Sequence, residues 1–214
     1  QFLEATQPKE LAKLKDRPNW QRLLLERLNK KIKKDSVLAV LKKGLDIDDA
    51  HFDLLYRLPY NDLNPDVVAN FAANIFSVTR QVHYSESDTF KSVDMVLFVN
   101  GLAIATLELK NPWTGQNVHN AIKQYRTDRD PREPLFEFGR CLVHFAVDTD
   151  EAYMCAQLAG NDSNFLPFNK GTQDGGKGND IPDDPTRYAT DYLWDQVLTP
   201  DSLLNILGRF IHLQ

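Results

Sequence analysis

Cysteine is scarce, with two thiols in 214 residues, Cys141 and Cys155. Both sit on apolar segments without metal-ligand spacing. That excludes a zinc or disulfide framework and predicts buried thiols in a reducing, cytoplasmic setting. No apolar run approaches the roughly 20 residues of a membrane span, and no signal-peptide pattern opens the chain. The phosphate-cradling motif GxxxxGK[ST] is missing as well, so these residues hold no nucleotide-driven motor. There is no internal repeat. A net charge of −5 argues against a protein coated with positive charge.

That charge is unevenly spread. Residues 1–43 carry 12 Lys/Arg against 5 Asp/Glu, and the remainder 13 against 25. A locally basic segment can hold phosphates within a screening length of roughly 10 Å, although a solvated helix face has the same composition. Leu11, Leu14, Trp20, Leu23, Leu24, Leu28 and Ile32 recur at helical intervals, interrupted at Pro18-Asn19. A further helix is predicted over 36–43, ending at Gly44, and another over 65–76 that starts with Pro and Asp. From residue 77 the texture becomes β-branched and alternating. SVTRQVHYS, VDMVLFV and LAIATLEL read as strands, the last two joined at Asn100-Gly101.

Val118, Ala121, Ile122 and Tyr125 then form a helical stripe. CLVHFAV reads as a buried strand, and AYMCAQL as a possible second one beyond DTDE. The sequence therefore predicts an α/β core, with a helical part at 1–76, a core at 77–159, a loop or linker at 160–187, and a helical segment at 188–214. GTQDGGKGND follows no strand and opens no helix, so it reads as loop rather than as a phosphate cradle.

The hairpin carries charge where a buried sheet should have none. Strand alternation puts Thr106, Glu108 and Lys110 on one face. A strict two-residue turn pairs 99 with 102 and sets Asp94 opposite Leu107, away from Glu108. A three-residue loop with Gly101 in a bulge brings Asp94 beside Thr106 and within reach of Glu108, and the functional reading expects that bulge. Two such carboxylates repel unless a cation relieves them. Mg²⁺ suits hard oxygen ligands and often binds through one or two carboxylates plus a phosphate. Lys110 could then touch an attacking water or a scissile phosphate. Surface ion pairs at strand ends are the alternative for an isolated D…ExK.

The wording around this pattern is more specific. D…ExK on a hairpin followed by a helix resembles the PD-(D/E)XK nuclease superfamily. RQVHYSESDTFKSVDMVLFVNGLAIATLELKNPWTGQ, AIKQYRTDR, PLFEFGRCLVHFAVDTDEAYM and FLPFNKG resemble the N-terminal nuclease region of the R subunit of type I restriction-modification enzymes. The resemblance implies a restriction-endonuclease-like mixed sheet flanked by helices. It also implies an endonuclease that binds Mg²⁺ through Asp94 and Glu108, with Asp94, Glu108 and Lys110 catalytic. The family adds a QxxxY motif on the next helix. Here Ala121 stands where its glutamine would be, so the resemblance offers Gln124 and Tyr125 as substrate-positioning residues through an altered motif.

Of the family's early-helix glutamate, Glu26 is the nearest match, though a solvent-facing glutamate is the simpler reading. The implied partners are double-stranded DNA and the modification (methyltransferase) and specificity subunits. ATP would be used by a motor beyond this fragment and not bound by it. A catalytically silent module docking DNA or the methyltransferase core through its basic 9–34 segment is the alternative. Elsewhere, His144 reads as a satisfied core histidine and His83 as a strand-surface residue. His119, Lys123, Arg126 and Arg129 read as an exposed basic face. Trp113 could line the site rim or cap the sheet edge.

Overall fold

The computed structural model describes residues 1–59, 61 and 63–211. The last three residues of the expected C-terminal helical segment lie outside these. The chain divides into two compact groups: Gln1–Ser77 with Phe98–Leu102 and the chain from Pro200 on, and Val78–Leu97 with Ala103–Thr199.

The first group is mainly helical. α1 (Phe2–Thr6) and α2 (Pro8–Lys15) precede α3 (Trp20–Asp35), and the break falls at Pro18-Asn19 as the sequence indicates. Asn19 caps α3 in the left-handed conformation, φ 60°. α4 (Val37–Lys43) buries Val37 to Leu41 without a gap. Its N-terminus is held by Ser36, whose Oγ accepts from the Ala39 amide. A β1–β2 hairpin (Leu45–Ile47, Ala50–Phe52) then pairs antiparallel. α1 and this hairpin are not foreshadowed by the sequence pattern, because three- to five-residue elements span too little of a period to register. α5 (Pro65–Ala72) starts as expected, with Asn64 Oδ1 accepting from the Asp66 and Val67 amides.

The six-stranded sheet runs in the order β3 (Phe76–His83), β4 (Ser92–Val99), β5 (Leu102–Leu109), β6 (Val143–Val147), β7 (Ala152–Cys155), β8 (Leu166–Pro167). β5 and β6 are parallel, whereas β6–β7 and β7–β8 are antiparallel, so the sheet is mixed. The parallel pair needs a crossover, which contains α6 (Val118–Thr127). α6 opens with a reciprocal cap between Asn117 and Asn120 and buries the anticipated stripe of Val118, Ala121, Ile122 and Tyr125. Cys141 and Cys155 are buried free thiols.

Residues 160–187, expected as a loop or linker, are irregular for most of their length. They contribute β8 as an edge strand, and Asn179 Nδ2 donates to the Asp150 carbonyl and to Asn169 Oδ1. Their side-chain amides, not apolar periodicity, tie the segment down. The last described residues form short helical turns around α7 (Pro200–Asn205).

The β4–β5 turn corrects one expectation. Asn100 and Gly101 both have positive φ, 52° and 84°, and they alone separate the strands. This is the two-residue hairpin whose twist matches that of its strands, not the three-residue bulge. Asn100 Oδ1 accepts from the Ile75 amide while its Nδ2 donates to the Leu54 carbonyl, which fixes the tight form.

Two glycines separate strain from collision. Gly101 has φ +84° with open space where a Cβ would point, whereas a Cβ on Gly44 (φ +74°) would lie 2.5 Å from the Phe52 carbonyl oxygen. Gly101→Ala should therefore cost about 1 kcal/mol, and Gly44→Ala at least twice that. At roughly 2–4 °C per kcal/mol for a chain of this size, thermal unfolding of the two variants should resolve the difference.

Candidate active site

β5 ends where three elements converge. The Lys110 amide donates to the Val147 carbonyl of β6. Amides alternate sides along a strand, so that of Leu109 points toward β4. There Asp94 Oδ2 accepts it at 2.8 Å. The carboxylate of Asp94 thus reaches the end of β5 by standing in for a backbone acceptor. Asp94 Oδ1 accepts from Gln81 Nε2 of β3 at 3.2 Å.

The alternating face Thr106, Glu108, Lys110 is turned to α6 and its exit. Thr106 Oγ1 lies 2.8 Å from both the Tyr125 hydroxyl and His144 Nδ1. Lys110 Nζ donates to Gln124 Oε1 at 2.6 Å. Glu108 is fully buried at 0% exposure. Its Oε1 accepts from Arg129 Nε at 2.7 Å. Arg129 spends its other donors elsewhere, one on the Ser92 carbonyl at 2.9 Å and one on the Tyr84 hydroxyl at 3.2 Å. Glu108 Oε2 is therefore left over. Among the described residues it is the one buried side-chain nitrogen or oxygen without a hydrogen-bond partner.

Burial pushes the Glu108 carboxyl up to about 7, with Arg129 opposing the rise, Asp94 adding to it and Lys110 reducing it. His144, buried and bonded as a core histidine should be, is pushed the other way by burial, down to about 4. Asp94, Glu108 and Lys110 are thus within electrostatic reach of one another. Of the two positioning candidates, Gln124 meets Lys110 directly. Tyr125 is wholly buried in the core with its hydroxyl on Thr106. It shapes β5 from behind and does not face outward.

Arg129 departs from the sequence reading. His119, Lys123 and Arg126 are exposed as expected, but Arg129 is buried at 6% exposure. It lies just past the C-terminus of α6, where the helical spacing no longer governs direction. Within RTDRDPRE it is indistinguishable from a solvated cation. The only clue to it was indirect, since a carboxylate inside an apolar strand requires a counter-charge. Gln81 was equally silent. Glu26 is a surface residue paired with Arg22, and Trp113 and His83 are exposed.

Beside the site opens a cleft of about 700 Å³, lined by Lys91, Ser92, Gln124, Arg126, Arg129 and Arg132 together with Asp128 and Asp130. It shares Gln124, Ser92 and Arg129 with the groups that hold Lys110 and Glu108. The donor set itself fits a hard divalent cation: two carboxylates, one with an unpartnered buried oxygen. Among the described residues no group of three or more His, Cys, Asp or Glu side chains could hold a metal. The fit is therefore to an ion that keeps waters or a phosphate as its remaining ligands.

The mixed sheet flanked by helices, with the charged hairpin at its centre, defines a restriction-endonuclease-like α/β protein. The comparison with known sequences is more specific. The family described as the type I restriction enzyme R protein N terminus matches residues 3–163, so the chain belongs to that family. A relative from Methanocaldococcus jannaschii, provisionally named type I restriction enzyme MjaIXP endonuclease subunit, is 24% identical over 141 residues. The match covers 56% of this chain and 14% of that protein, so the chain spans a small part of the relative's length.

The two buried ionisable groups give opposite pH dependences. Glu108, raised from 4.5 to about 7, holds a proton in the fold that the unfolded chain has released, so its contribution to stability falls as pH rises through that window. His144, lowered from 6.5 to about 4, stays neutral in the fold while the unfolded chain binds a proton, so its contribution rises with pH from about 4 to 6.5. The slopes nearly cancel in the native protein. Glu108→Gln removes one of them. Its stability relative to the native chain should therefore climb by roughly 3 kcal/mol between the two Glu108 values, as read by urea unfolding at several pH values. Arg129→Met leaves the buried carboxylate without its counter-charge and should cost about 3–5 kcal/mol at neutral pH in the same measurement.

Proposed function

We propose that this chain is the Mg²⁺-dependent endonuclease part of a type I restriction enzyme R subunit, hydrolysing phosphodiester bonds of double-stranded DNA. The observation that carries the reading is the meeting of Asp94, Glu108 and Lys110 at the end of β5, with Glu108 Oε2 buried and unpartnered. Asp94 and Glu108 would hold the ion. When bound, Mg²⁺ supplies acidity to water and offsets charge on the phosphate.

The chain's own residues do the rest. Gln124 holds the Lys110 ammonium in place, where its charge stabilises the negative charge that develops on phosphate oxygens as the bond breaks. Arg129 and the apolar walls around Glu108 keep bulk water from the carboxylate, which strengthens every charge interaction at the site. Lys91 and Arg132, on the rim of the cleft, are suited to the DNA backbone. Contacts of that kind set register without reading sequence. Target choice would then come from the specificity subunit. Cutting would follow ATP-driven translocation by a motor not among these residues, in a cytoplasmic complex with the methyltransferase.

A silent docking module relying on the basic α3 is less well supported. Within that helix Arg22 pairs with Glu26 and Lys31 with Asp35, the habit of a solvated surface. The two readings part in a reconstituted complex given plasmid, Mg²⁺ and ATP. Asp94→Ala and Lys110→Ala should each lower cleavage by about 10²-fold or more while leaving ATP hydrolysis and DNA binding intact. Joint charge reversal of Lys91 and Arg132 should weaken DNA binding and flatten its salt dependence. Native cleavage by Lys110→Ala would sink the reading.

A further inference from the structure

Five non-glycine residues among those described have positive φ. Asn19 and Ser36 are helix caps, Asp48 and Asn100 sit in hairpin turns. Gln81, at φ 50°, alone lies inside a strand, the exposed strand β3. An unbranched polar residue there costs on the order of 1–3 kcal/mol, and a kink of this kind re-aims a side chain out of the strand's ordinary alternation. The re-aimed amide makes two contacts, both on β4. Ser92 Oγ donates to Gln81 Oε1 at 2.9 Å, which fixes the amide's orientation. Gln81 Nε2 therefore faces Asp94 and donates to Oδ1 at 3.2 Å. With Oδ2 already held by the Leu109 amide, the Asp94 carboxylate is gripped at both oxygens from two neighbouring strands.

We propose that Gln81 is a positioning residue for metal binding. It holds the plane of the Asp94 carboxylate so that its remaining lone pairs and Glu108 Oε2 face the same ion. The proposal rests on the reading of Asp94 as a metal ligand. Gln81 carries no net charge, so its removal leaves the net charge of the site unchanged, which separates its role from that of Arg129.

Glycine accepts φ near +50° freely, so Gln81→Gly removes the amide and relieves the backbone together. Mn²⁺ binding to the 214-residue chain, followed by loss of the free-ion electron paramagnetic resonance signal, tests it alongside thermal unfolding. The expected result is Mn²⁺ affinity lowered about 10-fold with the melting temperature unchanged or raised. Ser92→Ala, which frees the amide to rotate, should give a smaller loss of the same kind. Native Mn²⁺ affinity in Gln81→Gly overturns the proposal, as does a loss of affinity accompanied by lowered stability, which would make Gln81 a structural residue. Asp94→Ala, measured in parallel, distinguishes the two levels. If it binds Mn²⁺ as the native chain does, the metal-site reading itself fails, whereas loss in Asp94→Ala with retention in Gln81→Gly defeats only the role of Gln81.

Discussion

A carboxylate that water cannot reach must be paired, protonated or bound to a cation, and Glu108 is such a carboxylate. Arg129 supplies the pairing through one oxygen only. From that contact much of the local architecture follows. Arg129 must stay folded back under Tyr84 and against the Ser92 carbonyl, so the exit of α6 is fixed to β4. Within α6 itself, Tyr125 meets Thr106 and Gln124 meets Lys110. Three successive positions on one face of β5 are therefore each matched to a polar group on or just after a single helix. A slip of α6 by one residue would break all three at once.

This matching explains how an apolar sheet accepts ionisable groups. Thr106 and His144 form a neutral hydrogen-bonded pair deep in the sheet, with His144 kept uncharged by burial. One step along the same face, Glu108 stands at the border between that core and the charged rim formed by Asp94 and Lys110. Polarity rises along β5 toward its C-terminal end, and the cleft opens where the rise is complete. Parallel pairing with β6 matters here, because it brings the carbonyl of Val147 to the Lys110 amide and extends the strand one residue past its apolar run.

What the sequence made legible, and what it did not, divides along physical lines. β4 and β5 were readable because Asn-Gly between two apolar runs is a strong local signal. α6 was readable because Val118, Ala121, Ile122 and Tyr125 repeat at a helical period. The turn type was not, since Asn-Gly serves two- and three-residue loops alike. The choice was made by Ile75 and Leu54, which bond Asn100 from 25 and 46 residues away. The two-residue turn by itself would aim the Leu109 amide away from β4, so its bond to Asp94 requires the ladder to shift by one residue between the turn and the site. β8 was hidden in a Gly- and Asn-rich stretch whose order comes from side-chain amides. Arg129 and Gln81 were hidden because burial and a positive φ leave no mark on composition.

The costs that the fold carries are not scattered. A buried glutamate on β5, with one oxygen unpartnered and its carboxyl raised to about 7, and a strained glutamine on β3 lie on the two strands that flank Asp94 of β4. A buried ion pair of this kind is weak evidence for stability, since apolar residues of similar volume often do as well or better. A scaffold that only docked other molecules would gain by replacing Glu108 and Arg129 together and by putting glycine at position 81. Sites where local rules are broken together are where function is expected to reside. On the proposed reading these breaches would share one remedy, a hard cation between Asp94 and Glu108. It would satisfy the orphaned oxygen, relieve the repulsion that Asp94 adds to Glu108, and use the carboxylate orientation that Gln81 is strained to maintain.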